Sequence, residues 1–238
     1  MTDEVDGLHA DQVLVFDADD TLWENNVLFE RVIDGFLDWV AADAADPAAR
    51  QAARAVLDAV EAANAATLGY GAAVFRHNLA ESLEQLHGRK VTAEDRDRID
   101  HLLLPLTSRT VELIPGVADT LAQLAGRHRL LMLTKGDETE QRRKVEESAI
   151  AHHFGGVHIV AEKNVDTYHR LVADLSLAPE RTWMIGNSPK SDIVPARRAG
   201  LNAIFIPHEH TWVLEHEEFG AHTATLELRS FTELLGHF

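Results

Sequence analysis

Residues 11–23 read DQVLVFDADDTLW. The apolar run Val13–Phe16 stops at three carboxylates, Asp17, Asp19 and Asp20. Three acids within four positions repel one another, and a buried strand end is a costly place for unpaired charge. A strand that delivers carboxylates to one point therefore implies something positive there to meet them.

Outward from this stretch the chain changes character twice. From about Glu24 to Leu106 the pattern is helical throughout. Val27, Leu28, Val32, Ile33, Phe36, Leu37 and Val40 recur at helical spacing. Asp46-Pro47 reads as an N-cap with a first-turn proline, opening an alanine-rich helix over Ala48–Ala66. Gly69-Tyr70-Gly71 breaks it. Ala72–Leu86 is a further amphipathic helix, stopped by His87-Gly88. Thr92 then caps another, with acids in its first turn. From Pro115 onward helices alternate with short apolar strands. The pairs are helix Val117–Ala125 with strand Leu130–Leu133, helix Glu138–Ala149 with strand Val157–Val160, helix Val165–Leu175 with strand Thr182–Ile185, and helix Ile193–Ala199 with strand Ala203–Ile206. A strand near Thr225–Leu228 and a helix from Phe231 close the chain. Such alternation implies right-handed parallel crossovers. Strands such as LLML and AIFI, apolar on both faces, suit a sheet covered by helices. The expected fold class is α/β: a Rossmann-like parallel sheet sandwiched by helices, residues 1–24 and 109–238, with an all-helical cap, residues 25–108, inserted after the first strand.

In open parallel sheets, ligands sit beyond the carboxyl ends of the strands. Four such ends carry polar groups here: Asp17, Asp19 and Thr21; then Thr134, Lys135 and Gly136; then Lys163; then Gly186, Asn187, Ser188 and Asp192. Parallel strands point all four sets to one edge. FDADDTLW resembles the first motif of the haloacid dehalogenase (HAD) superfamily, an apolar strand followed by Asp-x-Asp-x-Thr. LLMLTKGD resembles its second motif, Lys163 in AEKNVDTY its third, and MIGNSPKSD its fourth. The helical block between the first two motifs matches a C1-type cap, which would close over the strand ends and exclude water.

The resemblance implies a chemistry for each residue. Asp17 would be the nucleophile. A carboxylate has an ordinary pKa of about 3.9, so it is ionised at neutral pH and attacks phosphorus without a base, giving an aspartyl-phosphate. Asp19 would protonate the leaving oxygen and then activate water. Mg2+ would bind Asp17, the main-chain carbonyl of Asp19, and Asp192, offsetting the carboxylate repulsion. Thr134, Lys135, Gly136 and Lys163 would hold the phosphate, catalysis being largely positioning and electrostatics. The implied activity is Mg2+-dependent hydrolysis of a small phosphorylated metabolite. A haloacid dehalogenase using Asp17 on carbon, a phosphomutase on the same core, and a catalytically weak phosphate-binding protein are the alternatives. Two positions depart from the family pattern: Asp20 stands where many relatives have Gly, and Asn187 where the family often has the first acid of its fourth motif.

Composition bounds the rest. The chain has 238 residues, 45% of them hydrophobic, enough for a core domain with a sizeable insertion. Cysteine is absent, which excludes a thiol nucleophile, a disulfide or a thiolate–metal site. A net charge of −17 disfavours nucleic acid and anionic membrane, so a phosphate site needs local cations or a metal. No apolar run approaches the roughly 20 residues of a membrane span. The acidic start has no apolar h-region, so a soluble cytoplasmic protein is expected. His208, His210 and His216 do not match metal-site spacings and read as loop histidines.

Overall fold

Strand β1 (Val13–Phe16) is central in the sheet of a computed structural model that describes residues 11–41, 46–107, 111–218 and 223–238. Leu14, Val15 and Phe16 have no exposed surface, because helices cover both faces of the strand. Five helices follow: α1 (Asn26–Val40), α2 (Pro47–Leu68), α3 (Ala72–His87), α4 (Ala93–Leu102) and the single turn α5 (Leu104–Thr107). Alternation then begins with α6 (Val117–Ala125), β2 (Arg129–Lys135), α7 (Glu138–Glu147), β3 (Val157–Val160), α8 (Val165–Asp174), β4 (Thr182–Gly186), α9 (Val194–Arg198), β5 (Asn202–Phe205) and β6 (Leu226–Glu227).

The sheet order is β3-β2-β1-β4-β5-β6 and every pairing is parallel. The chain runs outward from β1 in both directions, so β1 sits at the switch point where such sheets open a crevice at their carboxyl edge. Alternate strand residues feed two cores. Leu14, Phe16, Met132, Ile185 and Ile204 pack with Val117, Leu121 and Phe231 on one face. Val15, Leu131, Leu133 and Met184 pack with Tyr168, Leu171 and Ala196 on the other.

The described residues fall into two compact units. One runs up to Glu24 and resumes at Val111; the other begins at Asn25 and contains α1–α5. The helical unit has its own core of Val32, Phe36, Leu57, Leu79 and Ile99. Its caps are local chemistry. Asp46 accepts the Ala48 N–H at 2.9 Å, with Pro47 in the first turn. Thr92 and Asp95 form a reciprocal capping box at the start of α4. Gly88 closes α3 in the left-handed region, at φ 64°. Phe75 is buried in this unit, and Arg76 pairs with Asp100.

Several element ends differ from the sequence expectation, among them β2, which runs on through Thr134 and Lys135. Helix α7 ends at Glu147, not Ala149, because Ala149 adopts φ 58°. A single π turn, Pro189–Ile193, precedes α9 and shortens it. The segment Phe231–Gly236 forms tight 3-10 turns in place of an α-helix. Among the described residues no helix is long and apolar enough to cross a membrane.

Candidate active site

The backbone of Asp17 is fixed at the end of β1 by its N–H, which donates to the Ile185 carbonyl at 2.9 Å. Its carboxylate meets Lys163, which follows β3. The Lys163 ammonium donates to Asp17 Oδ1 and, at 2.6 Å, to Asp192 Oδ1. Lys163 is 4% exposed and Asp192 is fully enclosed. Burial alone would lower the Lys163 pKa; the two carboxylates outweigh it and hold the ammonium above its ordinary range. Burial pushes the Asp192 carboxyl up to about 7, against the pull of Lys163. Its second oxygen accepts the Ser188 N–H at 3.0 Å. Removing one member of such a buried set leaves the others uncompensated, which is the costly case.

Asp19 projects toward α7. Its carboxylate accepts from Trp23 Nε1 at 2.7 Å, from Lys144 Nζ at 3.0 and 3.1 Å, and from Gln141 Nε2 at 3.1 Å. Gln141 also donates to Thr134 Oγ1 at 2.6 Å, so one amide links the first-motif acid to the second-motif hydroxyl. Gln141 and Lys144 lie one turn apart on α7, whose start is capped by Asp137 accepting the Glu140 N–H. Gly136, at φ 143°, lets that helix approach: a Cβ there would lie 3.2 Å from Gln141 Cγ.

Lys135 follows Thr134 in β2. It was expected beside Thr134 on a phosphate. Successive strand residues point to opposite faces, and Lys135 accordingly pairs with Glu215 and donates to Ser191 Oγ at 3.0 Å. Glu215 comes from a short turn, Val213–Glu215, well beyond β5. The hydroxyls of Ser188 and Ser191 donate to the same carboxylate. Burial would raise the Glu215 pKa; Lys135 and the serines overcome this and hold it below the usual range. Beneath the loop, Tyr168 donates its hydroxyl to the Ser191 carbonyl at 2.8 Å.

The two departures from the family pattern now have geometry. Asp20 adopts φ 62°, a conformation that glycine takes freely and aspartate tolerates better than most residues. Its carboxylate lies 3.8 Å from His208, which also approaches Glu24 at 3.4 Å. Among the described residues, Asp20, Glu24 and His208 are the acids and histidine whose ligand atoms gather within 4.8 Å; Asp17, Asp19 and Asp192 do not form such a group through their side chains. Asn187 Oδ1 lies 3.2 Å from Thr21 Oγ1, which is nearer to Asp17 Oδ2, at 2.9 Å. Asp17, Thr21 and Asn187 thus bring three oxygens together, a donor set suited to a hard divalent ion. Asp192, expected as a metal ligand, directs Oδ1 to Lys163 and Oδ2 to the Ser188 N–H.

A family profile described as haloacid dehalogenase-like hydrolase matches residues 12–200. The chain belongs to this family. A solved haloacid dehalogenase-like hydrolase from Xanthomonas campestris is 28% identical, with a TM-score of 0.79 over 94% of this chain and 93% of that one. A HAD hydrolase from Bacillus subtilis, bound to magnesium, shares the fold at 16% identity, with a TM-score of 0.67 over 95% and 98% of the two chains. So does an L-2-haloacid dehalogenase from Xanthobacter autotrophicus, at 18% identity and a TM-score of 0.60 over 94% and 96%. A phosphoserine phosphatase from Thermus thermophilus is 32% identical over 82 residues, which is 32% of this chain and 33% of that enzyme. The match thus spans about a third of the curated relative.

Sequence reasoning missed Thr21 as a partner of Asp17, and Gln141, Lys144, Thr211 and Glu215 altogether. Gln141 and Lys144 share one face of α7 at i, i+3, but ETEQRRKVEE is polar all round and marks no site-facing side.

Proposed function

We propose that this HAD hydrolase is a Mg2+-dependent phosphatase acting on a small phosphate monoester. The observation that carries the reading is Asp19. A second carboxylate, two residues from the nucleophile, is braced by Trp23, Lys144 and the same Gln141 amide that holds Thr134. Displacing halide from carbon requires no leaving-group proton, whereas expelling an alkoxide from phosphorus does. The family's magnesium chemistry and the similarity to a phosphoserine phosphatase support the same reading.

In this proposal Asp17 attacks phosphorus, its carboxylate held by Thr21 and Lys163 so that no reorientation is needed at the moment of reaction. The phosphorus–oxygen bond to the leaving group breaks as Asp19 gives that oxygen a proton. Asp19 then takes a proton from water, which attacks the aspartyl-phosphate and releases inorganic phosphate. Thr134 and the backbone around Gly136 orient the phosphoryl group, and Lys163 balances the charge that gathers on Asp17. Bound Mg2+ would neutralise the phosphoryl oxygens, with Asp17, the Asp19 carbonyl and a fourth-motif oxygen to hold it. Asn187 offers that oxygen, with Asp192 behind it securing Lys163.

The test is turnover of an aryl phosphate and a panel of sugar phosphates, nucleotides and phosphoserine, with Mg2+ and with chelator, beside 2-haloacids. Phosphate release that chelator abolishes is expected. Haloacid turnover in chelator, with no phosphatase activity, would overturn the proposal in favour of a dehalogenase.

A further inference from the structure

The segment after β5 reaches back to the fourth motif at two points, Glu215 and Thr211. The second determines which way Asn187 faces. Thr211 Oγ1 donates its one proton to the His208 carbonyl at 2.9 Å, and a carbonyl can only accept. Toward Asn187 the threonine oxygen therefore presents lone pairs alone. The Asn187 group that meets it at 3.0 Å must be the NH2. An amide carries its oxygen opposite, and Asn187 Oδ1 accordingly lies beside Thr21 Oγ1.

Thr21 also has one proton to give. Asp17 Oδ2 is nearer, at 2.9 against 3.2 Å, and is charged, so it is the stronger acceptor. The Asn187 oxygen is left facing the threonine oxygen with no proton between them. Two lone-pair-bearing oxygens in a site where Asn187 is 6% exposed favour a cation.

We propose that Thr211 is a positioning residue that locks the Asn187 amide with its oxygen toward Asp17, so that a neutral asparagine serves as a ligand where a carboxylate would need no such help. The inference rests on the Mg2+-phosphatase reading. A carboxylate has two equivalent oxygens and binds whichever way it turns; an amide turned over would aim an NH2 at the ion. Outer partners of metal ligands typically affect affinity by about 10–100-fold.

The experiment measures Mn2+ binding by electron paramagnetic resonance, with Mg2+ competition, in substrate-free protein. Thr211→Val is expected to weaken binding by about 10-fold or more, and Thr211→Ser to retain it. In an Asn187→Asp background, Thr211→Val should cost less than about twofold, because a carboxylate needs no orienting; the four variants form a cycle that isolates the pairwise effect. Equal Mn2+ affinity in wild type and Thr211→Val would overturn the inference while leaving the phosphatase reading in place. So would a loss, or a loss of fold by circular dichroism, that persists unchanged in the Asn187→Asp background, since Thr211 would then be structural only. Absence of Mn2+ and Mg2+ binding by the wild type would overturn both.

Discussion

Gly186 is packed against Asp192: a Cβ built on the glycine would lie 2.2 Å from Asp192 Oδ2 and 2.9 Å from Asp192 Cβ. The last residue of β4 is therefore glycine because the carboxylate that secures Lys163 occupies the space a side chain would take. Overpacking at such a point typically costs about 1–3 kcal/mol. Gly186→Ala is expected to lower the urea midpoint accordingly and to reduce turnover by displacing Asp192 from Lys163. An alanine variant with wild-type stability and kinetics would show that the loop yields freely.

Asp17→Asn should abolish turnover while leaving the fold intact, since the amide keeps the shape of the carboxylate but is a poor nucleophile. A loss of at least about 10³-fold in kcat is expected, the order seen when a covalent nucleophile is removed. Rapid-quench mass spectrometry on wild type with an aryl phosphate should detect a phosphorylated intermediate that the variant lacks.

His128 predicts an acid-sensitive fold. Its Nδ1 accepts the Gln12 N–H at 3.3 Å, so its proton sits on Nε2, which faces the Phe238 carbonyl at 3.3 Å. Burial lowers its pKa below the ordinary 6.5, the hydrogen bond to Phe238 resisting only in part. A second proton would set two donors against each other at Nδ1. A depressed folded-state pKa gives stability that is complete above about pH 6.5 and lost as the pH falls through the folded value. In His128→Gln the slope of stability against pH below 6.5 should shrink by up to about one proton, as read from urea melts at stepped pH. An unchanged slope would assign the acid sensitivity elsewhere.

The capping box of α4 gives a control in the helical unit. Thr92→Ala removes the hydroxyl that accepts the Asp95 N–H at 3.2 Å. A loss of about 1 kcal/mol is expected. The magnitude is checked by thermal or urea unfolding, and chemistry at Asp17 should be unaffected at saturating substrate.

What could be read in advance divides along physical lines. Apolar runs buried on both faces declare themselves as strands, so β1 and β4 were placed within a residue of their ends. Caps such as Asp46, Gly88 and Thr92 act on neighbours in sequence and were equally legible. Gln141 and Lys144 were not, because a helix so rich in charge shows no contrast between a site-facing side and a solvent-facing one. Thr211 and Glu215 lie in a loop with no periodicity, and only tertiary closure brings them to Asn187 and Lys135. The π turn differs from an α turn by one residue, a distinction that PKSDI does not carry. The side to which Lys135 turns follows a simpler rule: in a strand the neighbour of an inward residue points away from it.

The position of β1 has a consequence during synthesis. Val13–Phe16 leaves the ribosome long before its partners, Arg129–Met132 and Thr182–Ile185. At about 5–20 residues per second, the central strand waits on the order of ten seconds for its first neighbour. The helical unit, whose contacts are local, is complete well before then. Nascent chains stalled shortly before Arg129 should accordingly protect α1–α5 from protease and leave the first strand open to it. Until β2 emerges, Asp17 rides on an apolar tether with nothing to pair against, exposed to whatever holds young chains apart.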